Sequence, residues 1–413
     1  MDLNVVKKNN RSVILNVLRD RGCLSRKDIA DITGLSPGAV TTISNEMLSE
    51  GALIEVGTAS GNGRAGRKKI LLDINKKHRF IIGINIEKEN TIISISNLSL
   101  EMLTTTRIKT NSRTDPERFL EEIVEESKSL LWKLDISKSS VLGIGVGIAG
   151  KVDSVNGVSE YAYGVWNKSV KVREILEALY NIPVVVENNV RGLALAEVNC
   201  SKERNLKNFI FIKHGPGIGA AIIIDKKLLY GANNMAGEIG HIIVNVDGYE
   251  CSCGQRGCLE TTISSKRIIS QVRKWFSKEK TPRIYQNCNG APEKVDIDTI
   301  FKTYFMESDD SITYTQHEDE IRELIEEVIF YLALGIVNLI KMIDPENLVF
   351  YGEIFKYKKL MGLLNDKIET LLRSSGLKSQ LHTSCLEFTS PSIGGLSIAL
   401  EHLFFETGAI YKT

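Results

Sequence analysis

The first fifty residues carry apolar positions at helical spacing in three short blocks. Val13, Ile14, Val17 and Leu18 give one apolar face to a helix over about Ser12–Asp20. Ser25-Arg26-Lys27-Asp28 has the Ser-x-x-acid spacing of a capping box, and Ile29, Ala30 and Ile32 supply a second helix that Gly34 ends. Ser36-Pro37 starts a third, with serine as N-cap and proline where its missing N–H costs nothing. Val40, Ile43, Met47 and Leu48 face its core. Two helices joined by a short glycine-containing turn predict a helix-turn-helix, whose second helix enters the DNA major groove by its N-terminal end. Around Ser36 and Gly38, the residues Ala39, Thr41, Thr42, Ser44 and Asn45 remain for phosphates, thymine methyls and base edges. Residues 53–56 and 69–72 then read as two strands around a glycine-rich wing. Its Arg64, Arg67 and Lys68 lie beside glycines, which let a backbone approach a narrow minor groove.

From Phe80 the period changes to that of strands. Residues 80–86, 91–96 and 103–108 predict a three-stranded meander, a helix follows over about Pro116–Leu134, and Val141–Ile148 is a buried strand leading to Gly150. A similar series recurs at 209–212, at 219–224 and near Leu228. The repeat predicts a two-lobed α/β domain with a cleft between the lobes. Ile321–Ile343 is helical up to Asp344-Pro345, 348–351 is a buried strand, and Ile393–Phe404 is a last helix. Residues 277–320 are polar with little periodicity and read as an insertion.

A chain of 413 residues exceeds one core, and its 43% hydrophobic and 25% charged content is that of a globular protein. No apolar run approaches the roughly 18 residues of a membrane helix, and the polar start is no signal peptide. These features predict a cytoplasmic protein with no membrane segment. The net charge of +1 conceals an asymmetry: residues 1–78 hold 13 Lys and Arg against 8 Asp and Glu, and residues 60–79 hold seven basic residues and one acid. Charge alone fits either a solvated linker or a surface for DNA phosphates. Seven cysteines, three of them within residues 251–258, point to a metal site and not to a disulfide framework.

That cluster lies in the most specific motif of the chain. Gly237-Glu238-Ile239-Gly240-His241 precedes Cys251-Ser-Cys253-Gly254-Gln-Arg-Gly257-Cys258-Leu259-Glu260. One histidine and three cysteines within 18 residues supply the four ligands of a tetrahedral cation, so His241, Cys251, Cys253 and Cys258 predict a structural zinc site with no open position. Buried free thiols are the plainer alternative.

The string from Gly237 to Glu260 resembles the signature of the ROK family (repressors, open reading frames and sugar kinases). With the helix-turn-helix and basic wing before it, the chain resembles the family's xylose-repressor and N-acetylglucosamine-repressor branch from about Ser12 to Leu403. The resemblance implies an N-terminal winged helix-turn-helix followed by an α/β, two-lobed, actin-like domain of the ribonuclease H-like, sugar-kinase-like kind. Residues 1–78 would form the DNA-binding domain, 79–200 the first lobe, completed by a C-terminal helix within 391–413, and 201–390 the second lobe with the zinc motif. It also implies a sugar site at Gly150, Asn188, Asn189, Glu238, His241 and Glu260, with His241 reaching sugar and zinc by different ring nitrogens. For the two asparagines a turn after a strand is the plainer reading, and for the two glutamates a solvated surface acid.

The same resemblance implies that phosphoryl transfer has been lost. Asn189 stands where the family's kinases carry an aspartate base, and an amide cannot accept the proton. Their Asp-x-Gly-Gly-Thr phosphate loop is replaced by Asn85-Ile86-Glu87-Lys88-Glu89, and Pro216 removes an N–H from the glycine-rich turn after His214. The expected protein is a sugar-responsive repressor that binds operator DNA as a homodimer and has no enzymatic activity. Its rivals are an active kinase with an appended DNA-binding domain and a repressor controlled by a partner protein.

Overall fold

The computed structural model describes residues 3–59, 69–201, 204, 206–305, 316–373, 376–386 and 391–410. Helix α1 (Leu3–Arg21), strand β1 (Leu24–Ser25), α2 (Arg26–Thr33), α3 (Pro37–Ser49), β2 (Leu53–Ala59) and β3 (Lys69–Ile74) form a winged helix in which β3 lies between β1 and β2. The caps follow from sequence. Ser25 and Asp28 close a reciprocal capping box, Gly34 ends α2 in the left-handed region, and the Ser36 hydroxyl accepts from the Ala39 N–H. Two details differ from the sequence reading. The buried stripe of α1 is Arg11, Ile14, Leu15 and Leu18, while Val13 is 40% exposed. The stripe is rotated because it centres on an arginine, which a hydrophobic pattern cannot place in a core. On α3, Ser44 is fully buried with Val40 and Met47, four and three residues away, and cannot reach DNA.

The next sheet is built from β4 (Phe80–Ile86), β5 (Asn90–Asn97), β6 (Met102–Lys109), β7 (Val141–Ile148) and, after the small hairpin of β8 (Gly150–Asp153) and β9 (Val158–Ala162), β10 (Val184–Asn188). Its order is β10-β7-β4-β5-β6, the last three antiparallel and the first three parallel. Helices α4 (Pro116–Lys133), α5 (Val172–Tyr180) and α6 (Asn189–Cys200) belong to this part. Val141–Ile148 is buried at every position, as a central parallel strand covered on both faces must be.

The second sheet repeats that order. Strands β11 (Phe209–His214), β12 (Ile218–Ile224) and β13 (Lys227–Leu228) make the meander, and β14 (Asn347–Tyr351) and β15 (Gln380–Thr383) add in parallel beside β11. Around it lie α7 (Leu259–Ile263), α8 (Ser265–Trp275), α9 (Pro282–Asn287), α10 (Ile297–Phe305), α11 (Gln316–Ile343) and α12 (Lys358–Leu372). The insertion is therefore not structureless: α9 and α10 send Ile284, Ile297, Ile300 and Phe301 into this core. Two helices of six and nine residues are too short for a 3.6-residue period to show.

The chain closes with α13 (Ile393–Ala399), which runs into a π-helical turn over Leu400–Phe405. By contact density the molecule divides into two units, Met1–Lys202 with Ser390–Thr413, and Glu203–Thr389. Helix α13 thus packs in the first unit, on β4, β7 and α6. At Gly395 an added Cβ would lie 2.6 Å from the Gly145 carbonyl and 2.7 Å from the Ile84 amide nitrogen, so the helix touches the sheet backbone to backbone. Its extension meets the winged helix. Arg11, 1% exposed, donates to the Gly408 carbonyl at 2.6 Å and pairs with Glu50, while Arg19 binds Glu401 at 2.6 Å and lies over the Phe405 ring. No described helix is long and apolar enough to cross a membrane.

Replacing Gly395 by alanine is predicted to destabilise the first unit by about 3 kcal/mol, since the obstructing atoms are backbone. Gly362→Ala in α12, whose Cβ would meet open space, is expected to be neutral or to stabilise by up to about 1 kcal/mol. Chemical denaturation of both variants checks the pair; equal effects would remove the packing explanation.

Candidate functional site

The outward face of α3 holds Ser36, Gly38, Thr41, Thr42 and Asn45 exposed and Ala39 half-buried. Local bonds fix two of them: Thr41 donates to the Pro37 carbonyl at 2.8 Å, and Asn45 accepts from Arg26 at 3.0 Å. Arg64, Arg67 and Lys68 lie outside the described residues. The face is small and polar, which suits entry into a groove.

In the second unit, the loop after β13 gathers the ligating atoms of His241, Cys251, Cys253 and Cys258 within 4.8 Å of one another. The His241 Nδ1 lies 3.5 Å from the Cys251 Sγ, and the Cys253 and Cys258 sulfurs are 3.6 Å apart. Edges of about 3.5–3.8 Å are those of a tetrahedron with metal–sulfur bonds near 2.3 Å. Backbone bonds from Cys251 to Gln255 and from Val244 to Gly257 hold the loop in this shape. Burial, with the other two sulfurs beside it, pushes the Cys258 thiol up to about 12, so a cation is what would keep these sulfurs together as thiolates. The donor set fits one divalent cation. The seven cysteines all carry free thiols.

The other ring nitrogen of His241, Nε2, faces Glu238 Oε2 at 4.0 Å. Glu260, in the first turn of α7, accepts from the Ile218 N–H at 3.1 Å and rests against Gly217. Glu238, His241 and Glu260 are thus the expected ligand residues carried by the second unit. His214, the other histidine of this region, is wholly buried. Its Nε2 lies 2.7 Å from the Ile263 carbonyl, and burial pushes its pKa down to about 4, so it is a neutral packing group.

Gly150, Asn188 and Asn189 belong to the first unit. At Gly150, φ is +142° and a Cβ would lie 2.9 Å from the Ala162 Cα, so only glycine fits. Its carbonyl accepts from Asn188 Nδ2 at 2.9 Å. The Asn188 oxygen caps α6 by accepting from Val190 at 2.8 Å and Arg191 at 3.4 Å, and the buried Glu187–Arg191 pair braces that first turn. Asn188 therefore orders the backbone, and its remaining amide hydrogen is what it can offer a ligand. Asn189, 3% exposed, donates its amide to Glu87 Oε1 at 2.8 Å.

A model of the "ROK family" matches residues 81–402, and one described as "Winged helix-turn-helix DNA-binding" matches residues 9–53. The chain belongs to the ROK family. Among relatives, a xylose repressor of Caldicellulosiruptor bescii is 28% identical, covering 88% of this chain and 89% of its own. The DNA-binding transcriptional dual regulator NagC of Escherichia coli is 27% identical, covering 92% of this chain and 88% of its own. A crystal structure of a ROK family transcriptional regulator, a homologue of the E. coli MLC protein, superposes with a TM-score of 0.78 at 21% identity, covering 98% of each chain. A ROK family glucokinase from Streptomyces griseus, in complex with glucose and AMPPNP, reaches 0.64 at 20% over 77% of this chain and 98% of its own. The fold is therefore the winged helix joined to the two-lobed α/β, sugar-kinase-like frame that the motif string implied.

The sequence reading did not nominate Asn85 or Glu87 as site residues, although two polar residues two apart at the end of an apolar strand were a signal for them. Arg11, Arg19 and Glu401 left no comparable trace, because their partners are almost four hundred residues away.

Chelation is predicted to lower the melting temperature of the second unit by several degrees, with recovery on adding back a divalent cation and no recovery in Cys258→Ser. Acid acts through His214: the unfolded chain takes up its proton near pH 6.5 and the folded chain near 4, so stability is lost as pH falls through that window, by about 3 kcal/mol at its lower end. A His214→Gln variant should flatten that part of the stability profile. An unchanged profile would exclude His214 as its cause.

Proposed function

We infer that this protein is a sugar-responsive transcriptional repressor of carbohydrate-utilisation genes, built on a kinase frame that no longer transfers phosphate. The observation that carries the reading is the pairing of Asn189 with Glu87: the position of the base holds an amide, and that amide is bonded to a carboxylate where a phosphate loop would be. Supporting it, a winged helix precedes the frame, and relatives matched over most of their length are named xylose repressor and N-acetylglucosamine repressor.

In this reading the α3 face of Ser36, Gly38, Ala39, Thr41, Thr42 and Asn45 enters the major groove, and Arg64, Arg67 and Lys68 contact the minor groove or phosphates. A homodimer presents two such helices to half-sites roughly 34–36 Å apart. The cation at His241, Cys251, Cys253 and Cys258 is a structural zinc, suited to the reduced cytoplasm that free thiols favour. It fixes His241 by Nδ1 and leaves Nε2 toward the sugar beside Glu238. Gly150, Asn188, Asn189 and Glu260 complete the ligand set, since carboxylates and amides match vicinal hydroxyls. Coupling runs inside the first unit. Asn189 starts α6, α6 packs on α13 where Gly192 meets Gly394, and the end of that helix grips α1 through Glu401, Phe405 and the Gly408 carbonyl.

The test measures operator binding by the full-length protein with and without each sugar of a panel, beside coupled ADP release with the same sugars and ATP. A five- to 150-fold change in operator affinity for one sugar, with no ADP, is expected. ADP release would restore the kinase reading, and a panel without effect would favour control by a partner protein. Arg19→Ala is predicted to keep sugar affinity while reducing the sugar-dependent change in operator affinity at least fivefold.

A further inference from the structure

The polar face of α3 carries a directional constraint. Asn45 is exposed on it, four residues beyond Thr41 and so on the same side of the helix. Its side-chain oxygen accepts from Arg26 Nη2 at 3.0 Å. A guanidinium has only donors, so this contact decides which end of the amide faces it. Arg26 begins α2 and is itself held. Its guanidinium lies 3.6 Å from Glu55 Oε1 on β2, its side chain is 24% exposed, and its Nε is buried without a hydrogen-bond partner among the described residues. Carboxylate, guanidinium and amide thus form a row across β2, α2 and α3. At its open end stands the Asn45 amide nitrogen, with both N–H donors unspent among the described residues. Thr41 has the opposite character: its hydroxyl donates to the Pro37 carbonyl at 2.8 Å, which leaves an accepting oxygen and a methyl group.

We propose that Arg26 is a positioning residue that makes Asn45 a donor-only reader of the major groove, selecting guanine over adenine in the operator half-site. The inference rests on the reading of α3 as the recognition helix. An unconstrained asparagine recognises adenine by two bonds, its N–H donating to N7 and its oxygen accepting from the N6 amine. Here the oxygen is committed to Arg26. Guanine presents two acceptors on this edge, N7 and O6, and no donor, so an amide nitrogen alone can satisfy it. Adenine would set its N6 amine, and cytosine its N4 amine, against N–H donors, and each would lose a bond that it makes with water. Thymine offers one acceptor, O4, beside a methyl group, and ranks between them. Releasing the oxygen would take an acceptor from a guanidinium whose Nε already has none, so the orientation is kept on DNA.

The experiment enriches bound sequences from a pool of DNA duplexes with randomised half-sites, using the full-length protein, and counts the bases at each position. Asn45→Ala marks the position that Asn45 reads, by loss of preference there. At that position the native protein is expected to favour guanine over adenine by about fivefold or more, the scale of one well-made base contact. Arg26→Met frees the amide oxygen and should reduce that preference by about fivefold or reverse it, at this position only. Asn45→Asp, on the exposed surface of α3, keeps the Arg26 contact and replaces the donors by an acceptor. It should move the preference to cytosine or adenine, and it tests the donor-only reading even if Arg26→Met does not fold. A merely structural role for Arg26 would weaken all duplexes alike and leave the base preference unchanged. The inference is overturned, and the repressor reading stands, if the native protein favours adenine or Asn45→Ala alters no position. The same holds if folded Arg26→Met keeps the native preference or Asn45→Asp keeps guanine. No enriched sequence from the native protein overturns the reading of α3 as the recognition helix, and the inference with it.

Discussion

Backbone contact between the last helix and the first sheet is the constraint on which the first unit depends. Gly145 on β7 and Gly395 on α13 leave no room for a side chain, and Gly83 on β4 faces Leu396 in the same seam. A helix this close to a sheet covers the centre of β4 and β7 completely. That cover explains why the strands can be apolar on both faces and why residues from the far end of the chain are needed to finish the unit. The cost of closing so long a loop grows only slowly with its length, so the arrangement is thermodynamically accessible.

In the proposed mechanism the same seam is the route from ligand to DNA. Helix α6 begins at Asn189 and packs against α13, and the turn beyond α13 holds α1 by one buried arginine and one arginine over an aromatic ring. Arg11 shows how such a joint is made specific. Its guanidinium is almost wholly buried, yet it is satisfied by the Gly408 and Ala409 carbonyls and by Glu50, whose carboxyl it holds below the usual range. Partners at this density limit the cost of burying a charge, and they tolerate little displacement. A contact with a narrow range of acceptable geometry is what a change at α6 needs if it is to move a recognition helix.

The second unit is organised differently. Its sheet repeats the order of the first, but its candidate metal ligands lie on a loop and not along a buried seam. Four candidate ligands inside 18 residues converge on this loop, where a bound cation would fix it, and Glu260 is tied directly to the turn before β12. Buried His214 supports this region as a neutral group, so one histidine serves packing and the other, His241, is free of that role and sits among the candidate metal ligands.

Much of this could be read from the residues alone, because it is local. The capping box of α2, the proline at the start of α3, the apolar strand runs and the His/Cys spacing each act over a few residues, and all recur in the structure. The terminal elements and the site were only half legible. Arg11 in a core, buried Ser44, and the short helices α9 and α10 all contradict the period that a sequence shows, since tertiary packing decided them. Asn85 and Glu87 could be read as a lost phosphate loop, but their convergence on Asn189 could not, because it joins residues a hundred positions apart. Sequence determined the elements, the four candidate metal-ligating residues and the amide at position 189, whose physics lies within a turn or a strand. Tertiary structure alone decided which distant polar groups meet and how the chain's last helix reaches its first, because those contacts exist only once the sheet has brought distant strands into register.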